Sequence, residues 1–158
     1  MLLEVQALVA PAGYGTARRT CLGIDDGRLA LLLAALDRRS DIDLIGMDVY
    51  ANVTGGVRIA EPGADLALAL ALMSSRLDLP VPADAAACGE IGLGGEIRRV
   101  SRIDARLREA VRVGFRTVLL PAGSADAAGS AGWARVVAVE NVAEALAWLR
   151  CQAPSTTP

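Results

Sequence analysis

The chain reads as an α+β domain, and three features of its patterning predict that class. Its N-terminal part alternates apolar and polar residues with the period of a half-buried strand. Later segments repeat apolar positions at helical spacing. The order, strands first and then strands mixed with helices, fits a compact α+β domain. At 158 residues the chain is expected to form one domain with a substantial core. Residues 1–150 are assigned to that domain, with no repeat and no internal linker, and 151–158 to a disordered tail without core-forming side chains.

Leu3, Val5, Ala7 and Val9 share one face of the first strand, with Glu4 and Gln6 on the other. Pro11 to Gly15 breaks it, and Arg19 to Ile24 is expected to return as a second strand in a hairpin-like arrangement. Asp26 is the expected cap of a helix over Arg28 to Arg39, whose buried stripe is Leu29, Leu32, Leu33 and Leu36. Asp48 to Thr54 alternates again. Gly55-Gly56 is a turn, after which Val57-Arg58-Ile59 extends. A helix over Ala64 to Leu77, apolar nearly all round, belongs at the centre of the fold. A short strand at Ala85 to Cys88, a glycine turn at Gly89 to Gly95 and a strand at Glu96 to Val100 follow. The spacing then predicts a helix over Ile103 to Val113, stopped by Gly114. Strands at Thr117 to Leu120 and Arg135 to Val139 flank a loop over Ala122 to Gly132, and Asn141 caps a last helix to Arg150.

Composition excludes more chemistry than it suggests. All sixteen positive side chains are arginine, with neither lysine nor histidine present. Arginine holds anions but does not shuttle protons. A Ser-His-Asp triad, a Cys-His pair, a Ser-Lys dyad, a Schiff base and a Walker lysine are therefore ruled out within the chain. Cys21, Cys88 and Cys151 form no C-x-x-C pair, so no ordinary zinc site is expected, and buried thiols in a reducing compartment are the plain reading. Mean hydropathy is +0.40. The longest apolar run, Leu66 to Met73, is nevertheless far short of the roughly 20 residues of a membrane span. No signal pattern is evident, and a soluble cytoplasmic protein with no membrane partner is expected. A net charge of −2 means that any affinity for nucleic acid must come from a local basic patch.

The run Gly89-Glu90-Ile91-Gly92-Leu93-Gly94-Gly95 lacks P-loop spacing and leads into a strand, so it reads as a structural turn. Glu61 with Asp65, and Glu90 with Glu96, are candidate acid/base pairs, set against the preference of acidic residues for helix starts. Seven arginines lie between Arg98 and Arg116, opposed only by Asp104 and Glu109. They read either as a solvated face supported by an Asp104–Arg108 pair or as a surface for anions or a neighbouring subunit. The candidate DNA-binding side chains are Arg18, Arg19, Arg28, Arg58, Arg98, Arg99, Arg102, Arg106 and Arg108. With only five aromatic residues, little base stacking is expected.

Several motifs in order carry a family resemblance: Gly55-Gly56-Val57-Arg58, Glu61-Pro62-Gly63-Ala64-Asp65-Leu66-Ala67, the stretch Gly89 to Arg98, and Arg106-Leu107-Arg108-Glu109-Ala110 before Gly114-Phe115. Together with Leu3 to Val9 and Arg28 to Leu32, they make the chain resemble the Lon-protease-like C-terminal domain of the RadA (Sms) family of bacterial DNA-repair ATPases. The resemblance implies a ribosomal protein S5 domain 2-like, Lon proteolytic-domain-like fold. It places Gly63 where an active Lon protease has its serine and Asp104 where it has its lysine, so no catalytic residue is expected. It further implies a scaffold in a hexameric ring, supporting duplex or branched DNA binding during branch migration, with recombinase or helicase proteins as further partners. No cofactor is expected in this domain. ATP, magnesium and zinc would belong to other parts of such a protein. A pure oligomerisation module without DNA affinity, and a hydrolase using Glu61, Asp65 or Glu90, are the alternatives.

Overall fold

The computed structural model describes residues 1–130 and 132–153. The expected tail beyond Ala153 lies outside the described residues. Three strands form the first sheet: β1 (Val5–Pro11), β2 (Arg19–Leu22) and β3 (Met47–Val53). Its order is β1-β3-β2, with β3 antiparallel to β1 and parallel to β2. The expected hairpin-like return of β2 onto β1 is therefore corrected. The alternation of β3 buries Val49, Ala51 and Val53 to 4% exposure or less, and that strand takes the centre of the sheet.

Helix α1 (Asp26–Arg39) begins at its expected cap residue, and the cap is instead Asp25, one residue earlier. Asp25, in extended conformation, accepts a hydrogen bond from Arg28 N, while Asp26 is already helical and accepts one from the Cys21 thiol at 3.0 Å. Gly55 and Gly56 both take positive φ and turn the chain out of β3. Val57 to Ile59 does not form a strand; Ile59 N instead donates to Gly23 O at 2.8 Å. A 3-10 turn over Pro62–Ala64 leads into α2 (Asp65–Leu77), whose Leu66, Ala69, Leu72 and Met73 are fully buried. This helix packs on β1 and against α1 (Asp26–Arg39), which explains why its sequence is apolar nearly all round.

The second sheet is wholly parallel, in the order β4 (Ala85–Ala87), β7 (Thr117–Pro121), β8 (Arg135–Val139). Between its strands lies a tight antiparallel hairpin, β5 (Glu90–Ile91) with β6 (Ile97–Arg98). The expected strand over Glu96 to Val100 is thus reduced to two residues. Gly95, at φ +83°, closes the turn through Gly95 N to Gly92 O at 2.9 Å. Helix α3 (Ile103–Val113) ends at Gly114 in the left-handed region, as the sequence predicts. A 3-10 segment occupies Ala122–Ser130, where the sequence suggests an irregular loop. Helix α4 (Val142–Cys151) is capped by Asn141, whose side chain accepts from Glu144 N. The larger core joins the first sheet, α1, α2 and α4; a smaller one gathers Ile103, Leu107 and Ala110 of α3 with Cys88, Val118 and Leu120. The architecture is a mixed α+β fold with small sheets. No helix among the described residues is long and apolar enough to cross a membrane.

Candidate functional site

The start of α2 collects the chemistry-bearing residues. Gly63 O accepts a hydrogen bond from Gly89 N at 3.0 Å, and Leu66 N donates to Gly89 O at 3.1 Å. These bonds fix the entrance of the helix against the β4–β5 connection. A side chain at Gly63 would begin 3.5 Å from Arg106 Nη1 and 3.6 Å from its Cζ. The Arg106 guanidinium is itself held by Nε donating to Ser101 O at 3.0 Å and Nη2 donating to the Glu61 carboxylate. The side chain facing Gly63 is therefore Arg106. Asp104, the residue that the resemblance places at the lysine position, is exposed in the first turn of α3.

Two residues on, Asp65 is 4% exposed. Its Oδ1 accepts from Arg28 Nε at 2.9 Å, and its Oδ2 accepts from Arg28 Nη2 and from Ile91 N at 3.0 Å. A planar fork and a backbone amide thus surround one carboxylate, the geometry that tolerates a buried charge. The pair lies between two clefts. One, of about 460 Å³, includes Val5, Ile24, Arg58, Glu61 and Leu68 in its lining. The other, of about 290 Å³, includes Leu31, Leu32, Ile91 and Leu93. Arg28 and Glu90 line both.

Each carboxylate weighed as an acid or base in this region faces a guanidinium. Glu61 meets Arg106, Asp65 meets Arg28, Glu90 lies 3.9 Å from Arg98, and Glu96 also accepts from Arg98. Backbone amide hydrogen bonding, followed by Arg98, holds the Glu96 carboxyl below its usual range. Burial pushes the Cys88 thiol up, opposed by the nearby Arg106 charge and reinforced by Glu61. Each of these carboxylates is thus engaged by an arginine of the same domain rather than standing free in the clefts.

The nine arginines singled out from the sequence separate into two groups. Arg28 and Arg106 are half-buried and engaged within the fold, and Arg98 is exposed but paired. Arg19 donates to Ile45 O at 2.9 Å. Arg18, Arg58, Arg99, Arg102 and Arg108 are exposed, with no side-chain hydrogen bond or ion pair among the described residues. The expected Asp104–Arg108 pair does not form; the ion pair between two residues of α3 is Arg112 with Glu109 at 2.8 Å. That partner holds the Glu109 carboxyl low and the Arg112 guanidinium high. Sequence reasoning missed the role of Asp65. The available signal was an acidic residue immediately before Leu66, Leu68 and Ala69, in a helix with no other charge before Arg76.

A central helix entered through Pro-Gly, clamped to a glycine hairpin and flanked by a three-stranded mixed sheet, defines a Lon-type proteolytic fold in which glycine stands at the helix entrance. The family described as Lon protease (S16) C-terminal proteolytic domain matches residues 43–129, over half of the chain, and the chain belongs to that family. It is also similar to proteins named DNA repair protein RadA. The relative from Bacillus subtilis (strain 168) is 44% identical over 152 residues, covering 92% of this chain and 32% of the relative. That from Aquifex aeolicus (strain VF5) is 50% identical over 121 residues, covering 77% of this chain and 27% of the relative. That from Mycolicibacterium smegmatis is 42% identical over 150 residues, 95% of this chain and 31% of the relative. The similarity is consistent with the C-terminal Lon-like domain of such proteins, and the chain spans about a third of the length of these curated relatives.

Proposed function

We propose that the chain is a non-catalytic Lon-like scaffold acting in DNA repair and recombination, which assembles into a ring and binds duplex DNA without sequence preference. One observation carries this reading. The position of the expected nucleophile is a glycine covered by an arginine, while Arg18, Arg58, Arg99, Arg102 and Arg108 stand exposed and unpaired among the described residues. Arginine cannot act as the base that a serine nucleophile needs, but it pairs readily with phosphate. The S5 domain 2-like fold, a cytoplasmic setting and action during branch migration belong to the same proposal. So do a hexameric ring and contacts with recombinase or helicase proteins. ATP hydrolysis, magnesium and zinc are assigned to regions that would accompany such a domain. The engaged state of Glu61, Asp65 and Glu90 weighs against the hydrolase alternative.

The deciding experiment pairs a mass measurement in solution with duplex titrations at two salt concentrations. Affinity that falls steeply with salt and is indifferent to sequence supports the reading. A stable oligomer with no duplex affinity would leave the domain as an assembly module alone.

A further inference from the structure

The chain has two tryptophans, and it treats them in opposite ways. Trp148 is 9% exposed in the main core, whereas Trp133 is 62% exposed. The adjacent Ala134 is buried instead. An indole left in water beside a buried alanine is a large apolar face without an internal partner. Trp133 leads directly into β8, whose first residue, Arg135, lies in register with Thr117 of β7. Arg135 N donates to Arg116 O at 2.8 Å, which places both arginines at the same end of the parallel sheet.

Arg116 and Arg135 are exposed, and neither makes a side-chain hydrogen bond or ion pair among the described residues. Nor is Arg116 needed to cap α3. The last carbonyls of that helix are taken by Gly114 N, donating to Ala110 O and Val111 O, and by Phe115 N, donating to Ala110 O. Val113, 55% exposed, adds apolar surface at the same helix end. One flat aromatic face and two unengaged cations therefore share an edge of the molecule. This combination suits a base stacked on the indole with its flanking phosphates on the guanidinium groups.

We propose that Trp133, Arg116 and Arg135 form a binding site for an unpaired base of single-stranded nucleic acid, separate from the arginines assigned above to duplex. The site rests on the nucleic-acid reading of the domain for its class of ligand, but it differs in ligand and in residues. A duplex keeps its bases stacked and presents no free face to an indole, so Trp133 discriminates between the two forms.

The test follows tryptophan emission of the 158-residue chain during titration with oligothymidylate, with an abasic strand of equal length and with duplex. Buried Trp148 supplies a constant background. Oligothymidylate should quench Trp133, and the abasic strand should bind more weakly with little quenching. Trp133→Ala should weaken oligothymidylate binding about tenfold, read by anisotropy of a labelled strand, and leave duplex affinity unchanged. Trp133→Phe, which keeps an aromatic face, should retain most of the affinity. Arg116→Ala with Arg135→Ala should reduce both affinity and salt dependence for the single strand. Equal quenching by the abasic strand would overturn the proposal, as would unchanged single-strand binding in Trp133→Ala. A change in oligomeric mass on Trp133→Ala with intact binding would make the indole a subunit contact instead. Single-strand quenching without any duplex affinity would uphold this site and remove the duplex reading.

Discussion

Arg106 closes over Gly63. Its guanidinium nitrogen Nη1 would stand 3.5 Å from the first side-chain atom of any larger residue at that position, an ordinary contact distance rather than a clash. The backbone of Gly63 is outside the positive-φ region. The glycine is therefore not demanded by geometry. What the pair lacks is chemistry, since a hydroxyl placed there would meet a permanent cation in place of a base.

Gly63→Ser is expected to fold with a stability change within about 1 kcal/mol. It should remain unlabelled by a serine-reactive phosphonate. The unsubstituted chain should likewise neither cleave unfolded casein nor label at Ser74, Ser75 or Ser101. Labelling of any of these hydroxyls, read by mass spectrometry, would show an activating base that the side-chain arrangement does not provide.

Much of the fold was legible because local patterning and tertiary burial agree. The stripe of α3, Ile103, Leu107 and Ala110, is buried as the spacing predicts, and the caps at Gly114 and Asn141 are where the residue types predict them. Pairing between strands was less legible. Two alternating segments joined by a Gly/Pro turn look like a hairpin, yet a later strand with a more apolar face inserted between them. Site electrostatics were least legible. Nothing in the spacing of Arg28 and Asp65, or of Glu61 and Arg106, signals a contact, because each pair is joined only by long-range packing. Counting arginines consequently overstated the surface available to a ligand.

The Arg28–Asp65 pair should be asymmetric in its contribution to stability. Arg28→Ala leaves an anion at 4% exposure with Ile91 N as its remaining donor, and a loss of about 2–3 kcal/mol is expected. The estimate is kept low because the Arg28 side chain is 33% exposed and solvent screens the pair. Asp65→Asn retains an acceptor for Ile91 N and leaves the partly exposed cation to be hydrated, so its loss should be smaller. Denaturant midpoints for the two variants and their double mutant check this. The double mutant should lose less than the sum of the singles.

Cysteine reactivity should follow environment. Burial, then the Asp26 carboxylate that accepts its thiol, pushes Cys21 up to about 11, and burial also raises Cys88. Cys151 is exposed. At pH 8 the thiolate fraction of Cys21 would be about one in a thousand, so iodoacetamide should modify Cys151 first. The sign for stability follows from a raised folded value. The contribution of Cys21 is complete below the ordinary value of 9.0 and is lost as pH rises towards 11, because the unfolded thiol ionises first. Cys21→Ser should flatten the alkaline side of the stability profile; an unchanged slope between pH 9 and 11 would contradict the assignment.

Arg102 separates strain from charge. It occupies the left-handed region at φ 59° as the N-cap of α3, with no side-chain cap hydrogen bond. A non-glycine residue in that conformation costs roughly 1–2 kcal/mol. Arg102→Gly should therefore raise stability by about 0.5–1 kcal/mol after the greater flexibility of unfolded glycine is allowed for. Thermal unfolding should show a higher midpoint. A lower one would mean that the arginine side chain contributes a contact larger than the strain.

The division of arginines gives the strongest test of the duplex reading, because it makes opposite forecasts for residues of identical charge. Arg99→Ala with Arg102→Ala, or Arg58→Ala with Arg108→Ala, removes exposed and unpaired guanidinium groups. Each pair should weaken binding to all duplex sequences alike and flatten the dependence on salt, without lowering fold stability. Arg28→Ala and Arg106→Ala remove cations already balanced by Asp65 and Glu61. These should affect stability first, and duplex affinity only to the extent that the fold is perturbed, because a guanidinium group already engaged by a carboxylate has little left to offer a phosphate. Anisotropy titrations beside denaturation curves distinguish the two effects. If the paired arginines alone govern binding while alanine at Arg18, Arg58, Arg99, Arg102 and Arg108 leaves it unchanged, the cleft and not the outer surface would be the DNA-facing side of the domain.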